Sequence, residues 1–122
     1  MKRFLALLFL LPLLAVAQST APFTPVAAGT TTISCTNASA ATAINTKVAQ
    51  QPAQLLLTSP IGSAATAFLE FGISTQTAAV ATGFPLLPGQ SMVITVSPLI
   101  THVACITAAS TATVYVSVGA GN

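Results

Sequence analysis

From Thr113 to Val118 the chain reads Thr-Val-Tyr-Val-Ser-Val. An extended backbone turns the three valines to one side and Thr113, Tyr115 and Ser117 to the other, the mark of a strand buried on one face. The same two-residue period recurs in Met92, Ile94 and Val96, in Ala67, Leu69 and Phe71, and in Thr31, Ile33 and Cys35. Each predicts a half-buried strand. Gln54–Thr58 and His102–Thr107 are short apolar runs that fit strands buried more deeply, although period alone leaves a helical turn open there. Turn residues punctuate the pattern at Ser59-Pro60-Ile61-Gly62, Thr82-Gly83-Phe84-Pro85 and Leu87-Pro88-Gly89, where Pro fixes φ and Gly supplies positive φ.

Ile100–Asn122 reads as a final hairpin. Its turn, Ala108-Ala109-Ser110-Thr111, contains no Gly, which predicts a four- or five-residue loop around a type I turn. The main competing element is a helix over Ala38–Ala49, since Ala favours helix and Asn37 or Ser39 offers a cap. Thr42, Ile44, Thr46 and Val48 alternate in the same segment, and β-branched side chains suit a pleated surface, so a strand or irregular edge segment is expected instead. The expected fold class is all-β: an antiparallel β-sandwich or jelly-roll-like domain of about seven or eight short strands.

The amino terminus has a different layout. Lys2 and Arg3 precede an apolar stretch, Phe4–Leu14, and then Ala15-Val16-Ala17, the order of a cleavable secretory signal, with cleavage expected before Gln18. The apolar stretch is shorter than the roughly 20 residues a membrane span needs, and Pro12 interrupts it. Position 18 holds no Cys for lipid attachment. The expected organisation is a signal helix over 1–17, a flexible segment over 18–29, and one sandwich domain over 30–122. Localisation is then periplasmic or extracellular, without stable membrane insertion.

Removing residues 1–17 changes the charge. Of the chain's three cationic residues only Lys47 remains, against the single acid Glu70. The basic balance therefore belongs to the signal and carries no electrostatic footprint for nucleic acid. Polarity comes from Ser, Thr, Gln and Asn, and so little charge weakens repulsion between copies. Self-association, or packing into a capsid lattice or cell surface, is the expected partnership. Uncharged strand edges add to it, with Glu70 and Lys47 as the only charged gatekeepers.

The same scarcity limits chemistry. Cys35 and Cys105 are the only cysteines, and in an oxidising compartment they form a candidate disulfide, with two separate buried thiols as the alternative. A bridge between them is worth roughly 4 kcal/mol in the chain-entropy treatment. His102 lies three positions from Cys105, on the opposite face of a strand, which disfavours a Cys–His pair. One His, one acid and no CxxC pair build no recognisable zinc or calcium site. A glycosidase needs two carboxylates and a serine triad needs an Asp, and neither requirement is met. No catalytic residue, metal or cofactor is assigned, and a non-enzymatic role is expected. His102 reads as a surface or turn-edge residue at a strand start. Phe68, Glu70 and Tyr115 are candidate surface contacts, Phe68 having inward packing with Glu70 at a rim as its alternative. Asn37-Ala38-Ser39 fits the glycosylation pattern and Thr30-Thr31-Thr32 a T-x-T spacing; chance and solvated strand positions account for both.

The order TAFLEFGIS, FPLLPGQSMVITV, THVACITAASTATVYVSVGAGN resembles small structural proteins of tailed bacteriophages over about residues 55–122. The resemblance implies a virion surface or head-associated, decoration-like protein that packs on a lattice. Phage heads assemble in the cytoplasm, whereas the signal directs export. The second expectation is accordingly an exported bacterial β-sandwich surface or adhesin-like protein.

Overall fold

A computed structural model describes residues 23–46 and 53–120. The expected signal segment, residues 1–17, and Lys47 lie outside these residues. The described chain is all-β, with eight strands: β1 (Thr24–Cys35), β2 (Ala40–Ala43), β3 (Ala53–Thr58), β4 (Ala67–Gly72), β5 (Phe84–Leu86), β6 (Ser91–Val96), β7 (His102–Ile106) and β8 (Ala112–Ala120). They form two four-stranded sheets, ordered β1-β8-β3-β6 and β2-β7-β4-β5, in which every pairing is antiparallel. The first is called sheet A and the second sheet B.

The pairings nest. β1 pairs with β8, β2 with β7, β3 with β6 and β4 with β5, so the chain is one long hairpin rolled upon itself, and the rolling adds the β3–β8 and β4–β7 contacts. Only the β4–β5 connection stays within a sheet. The inward residues of both sheets then meet in one core: Ile33, Leu55, Leu57, Val114, Val116 and Val118 from sheet A, and Ala67, Leu69, Leu86 and Val103 from sheet B. Ile33, Ala67, Leu69, Val114, Val116 and Val118 are positions that the two-residue rhythm assigns to the buried side, because alternation places i and i+2 on the same face. The continuous apolar sequence of β7 fits burial on both faces, since its outward Ala104 is fully buried. Leu87-Pro88-Gly89-Gln90 closes with Gln90 N donating to Leu87 O at 3.0 Å and Gly89 at φ 79°. It is the Pro-Gly turn expected from the sequence, with positive φ where Gly carries no Cβ penalty.

Three expectations are corrected. Ile100–Asn122 is no hairpin: β7 belongs to sheet B and β8 to sheet A, and the segment between them crosses over. Alternation reports which side of a strand is buried and says nothing of its neighbour. The crossing is held by Thr107, whose N–H donates to Thr36 O at 2.8 Å and whose hydroxyl donates to Ser110 O at 2.8 Å, with Ser110 at φ 65°. The strand expected in place of a helix after Ala38 is present as β2, Ala40–Ala43. The domain begins before residue 30, since Thr24 and Pro25 already pair with Ala120 and Gly119. Register then shifts between Pro25 and Thr30, with Ala28 at φ 56°. That bulge breaks the period and hides the strand from a sequence reading. Finally, Phe84 and Pro85 open β5; the edge position tolerates Pro because its missing N–H has no ladder partner to lose.

Candidate interaction faces and a polar cleft

Cys35 ends β1 on sheet A and Cys105 lies in β7 on sheet B, and their sulfurs are bonded with the Cα atoms 5.4 Å apart. Both residues are 1% exposed. Each stands on the inward face of its sheet, so the bond ties the two layers together through the core. With Cys105 so engaged, no thiol is available beside His102.

His102 borders an open cleft of about 350 Å³, lined also by Thr31, Ile44, Asn45, Thr46 and Thr101. Its Nδ1 shares a hydrogen bond of 2.8 Å with Thr101 Oγ1, and Thr46 Oγ1 donates to Ile100 O at 2.6 Å. The cleft thus gathers the histidine with hydroxyls, but Glu70 takes no part in its lining. A hydroxyl beside an imidazole lacks the third group that orients the base in a working triad. Among the described residues no three His, Cys, Asp or Glu side chains come together to hold a metal.

Glu70 and Phe68 both face away from the core, on the outer side of sheet B. They are half-buried, because the connection between β4 and β5 folds back over them. Gln76 Nε2 donates to Glu70 Oε2 at 2.8 Å and Thr82 Oγ1 donates to Oε1 at 2.7 Å. Further along the same connection, Ala78 N donates to Ser39 Oγ at 2.8 Å, and Ala78 is 6% exposed. Gly83 sits so close to the sheet that a Cβ there would lie 2.8 Å from Phe68 Cβ and from Ala79 O. Ala104, next to Glu70 in the ladder and on the same outer side, is fully buried. The chain's one acid is therefore the fastening of a loop. It guards no edge either, since β4 is flanked by β7 and β5.

Glu70→Ala is expected to cost about 1–2 kcal/mol through loss of two hydrogen bonds to a carboxylate in a partly solvated setting. Hydrogen exchange should show faster exchange of loop amides such as Gln76 and Ala78, with the protection of β3 and β8 retained.

Sheet A presents the opposite case. Its outer face carries Thr30, Thr32 and Ser34 from β1, Thr113, Tyr115 and Ser117 from β8, Gln54, Leu56 and Thr58 from β3, and Ser91, Val93 and Thr95 from β6. Across the strands they form rows, Thr32–Tyr115–Thr58–Ser91 and Thr30–Ser117–Leu56–Val93. Thr30 and Ser117 share a hydrogen bond of 2.8 Å, and Ser91 donates to Thr58 Oγ1 at 3.1 Å. Tyr115 is 39% and Val93 46% exposed. One end of this face is covered, where the Phe23 ring packs over Gly119 beside the half-buried Gln54; the rows through Tyr115 and Val93 lie open, and the face bears no charge. Of the three expected contact residues, Tyr115 lies here; Phe68 and Glu70 lie on the opposite side of the molecule beneath their loop. Sequence reasoning missed Leu56, whose outward orientation becomes visible only once β3 is paired, and did not single out Val93, although its outward side follows from the period of Met92, Ile94 and Val96. Comparison of the chain with protein-family models, with curated proteins and with solved structures finds no match.

Proposed function

We propose that this chain is a non-enzymatic structural module that packs by the outer face of sheet A onto an uncharged surface of a larger assembly, as a decoration-like protein of a phage virion. The observation carrying the reading is the contrast between the two outer faces: one is closed by its own loop, the other lies open as a chargeless array of hydroxyls around Leu56, Val93 and Tyr115. The rolled order β1-β8-β3-β6 over β2-β7-β4-β5 is a jelly-roll order, and jelly rolls serve in viral capsids and in lectins. The resemblance over residues 55–122 points the same way.

One observation favours the second reading, an exported surface or adhesin-like protein: the Cys35–Cys105 bond belongs in an oxidising compartment, which agrees with the signal-like sequence of residues 1–17.

Mass spectrometry of purified particles, and of the periplasmic and medium fractions, tests both. The chain is expected in the particles with its disulfide formed, and Tyr115→Lys should release it from them while changing fold stability by no more than about 1 kcal/mol. Recovery only in the exported fractions, beginning at Gln18, replaces the virion role by the exported one. A free dithiol protein in the cytoplasm, bound to nothing, overturns both.

A further inference from the structure

The sandwich has four edge strands, and three of them are blunted. β1 carries Pro25 and the register shift between Pro25 and Thr30, which confine its unbroken pairing to Thr30–Cys35, where Thr31 borders the cleft with Ala43 to Thr46. β2 is 4 residues long. β5 is 3 residues long and contains Pro85. These are the devices by which sheet proteins prevent pairing at an edge.

β6 has none of them. Its 6 residues, Ser-Met-Val-Ile-Thr-Val, include no Pro, Gly or charged residue, and they pair with β3 in unbroken register from Ala53↔Val96 to Thr58↔Ser91. A strand held straight on one flank presents its alternate N–H and C=O groups in line on the other. Among the described residues no strand occupies that other flank. The inward side chains at this edge, Met92 and Ile94, are only partly buried against the core, whereas Leu55 and Leu57 beside them are fully buried. A further strand would complete their cover.

We infer that β6 is a self-pairing edge and that its occupant is β6 of a second copy, antiparallel across a two-fold axis, which joins the two A sheets into one eight-stranded sheet. An antiparallel pair sets residues of like orientation opposite one another. In the register centred on Val93, each Val93 faces its own counterpart, and Met92 faces the other copy's Ile94. Ser91, Val93 and Thr95 are uncharged, so the axis brings no like charges together, and an acidic or basic partner finds nothing on this edge to match. The joined outer faces give a surface twice as wide. The dimer follows from the edge whatever that face binds, and so goes beyond the proposed role.

The contact is small by the standard of stable complexes, which places its dissociation in the micromolar to millimolar range. Sedimentation velocity of the purified, disulfide-bonded protein from about 10 μM to about 1 mM should show a monomer–dimer equilibrium, with exchange protection of the β6 amides rising with concentration. Val93→Lys and Thr95→Lys, both at exposed positions, should each weaken the dimer at least about tenfold by placing like charges near the axis while the sheet spectrum by circular dichroism is kept. Thr32→Lys, on the same face but on β1, should leave it unchanged. A monomer throughout the range overturns the inference, as does a dimer broken by Thr32→Lys and untouched by Val93→Lys, which is face-to-face packing. Dimerisation without particle or surface association overturns the proposed function and leaves the self-pairing edge standing.

Discussion

The double variant C35A/C105A is expected to melt roughly 15–30 °C below the parent protein, which corresponds to roughly 4 kcal/mol for a domain of about 100 residues. The bond closes a sequence separation of 70 residues, a large loop whose closure removes many conformations from the unfolded chain. In the folded state it connects β1 on one sheet to β7 on the other. Its two chains are already adjacent there, since Thr107 N donates to Thr36 O one residue beyond Cys35. Geometry therefore gives the bond little to distort, and the loop-closure gain should appear nearly in full. Thermal melts of the parent and the variant, each with and without reductant, check this. Reductant should bring the parent down to the variant and leave the variant unmoved. A reduced parent that melts within a few degrees of the oxidised one would show that the sandwich stands on its core alone.

The burial side of each strand could be read in the sequence, because alternation is a local property. Ile33 and Cys35, Leu69, and Val114, Val116 and Val118 all face the core as their spacing requires. Which strand lies beside which could not be read in the same way. β7 and β8 show the same rhythm whether they pair or cross between sheets; a Gly-free linker fits either arrangement, and only the nesting with β1 and β2 separates them. The place of Glu70 was hidden for a related reason. Its position opposite Leu69 and Phe71 is a strand property and was legible. The cover above it comes from an aperiodic connection, in which Gln76 and Thr82 look like any exposed polar residues. One signal was present: the connection from Gly72 to Phe84 far exceeds the length of a hairpin turn, and loops of that length in compact domains usually carry a job. The edge at β6 needed both kinds of information. Its lack of charge is plain in the sequence, while its position at the end of sheet A is a fact of topology.

Leu57→Ala is expected to cost 2–5 kcal/mol, and Leu56→Ala, one position earlier, about 1 kcal/mol or less. β3 runs between β8 and β6, where Leu57 sits opposite Val116 and Met92 at 0% exposure. Strands on both flanks hold the backbone, so the space left by the lost methyl groups can close only partly, and a persisting cavity adds to the transfer cost. Leu56 points the other way, toward solvent between Ser117 and Val93, and its truncation opens no cavity. Chemical denaturation should report a lowered midpoint with unchanged slope for Leu57→Ala and almost no shift for Leu56→Ala. A larger cost at Leu56 would mean that β3 is slipped by one residue, which would turn every side chain of the strand to the wrong face. If the open face of sheet A is the working surface, the ranking reverses in a binding assay. Leu56→Ala should weaken association while the fold holds, and Leu57→Ala should alter association only as far as it unfolds the protein.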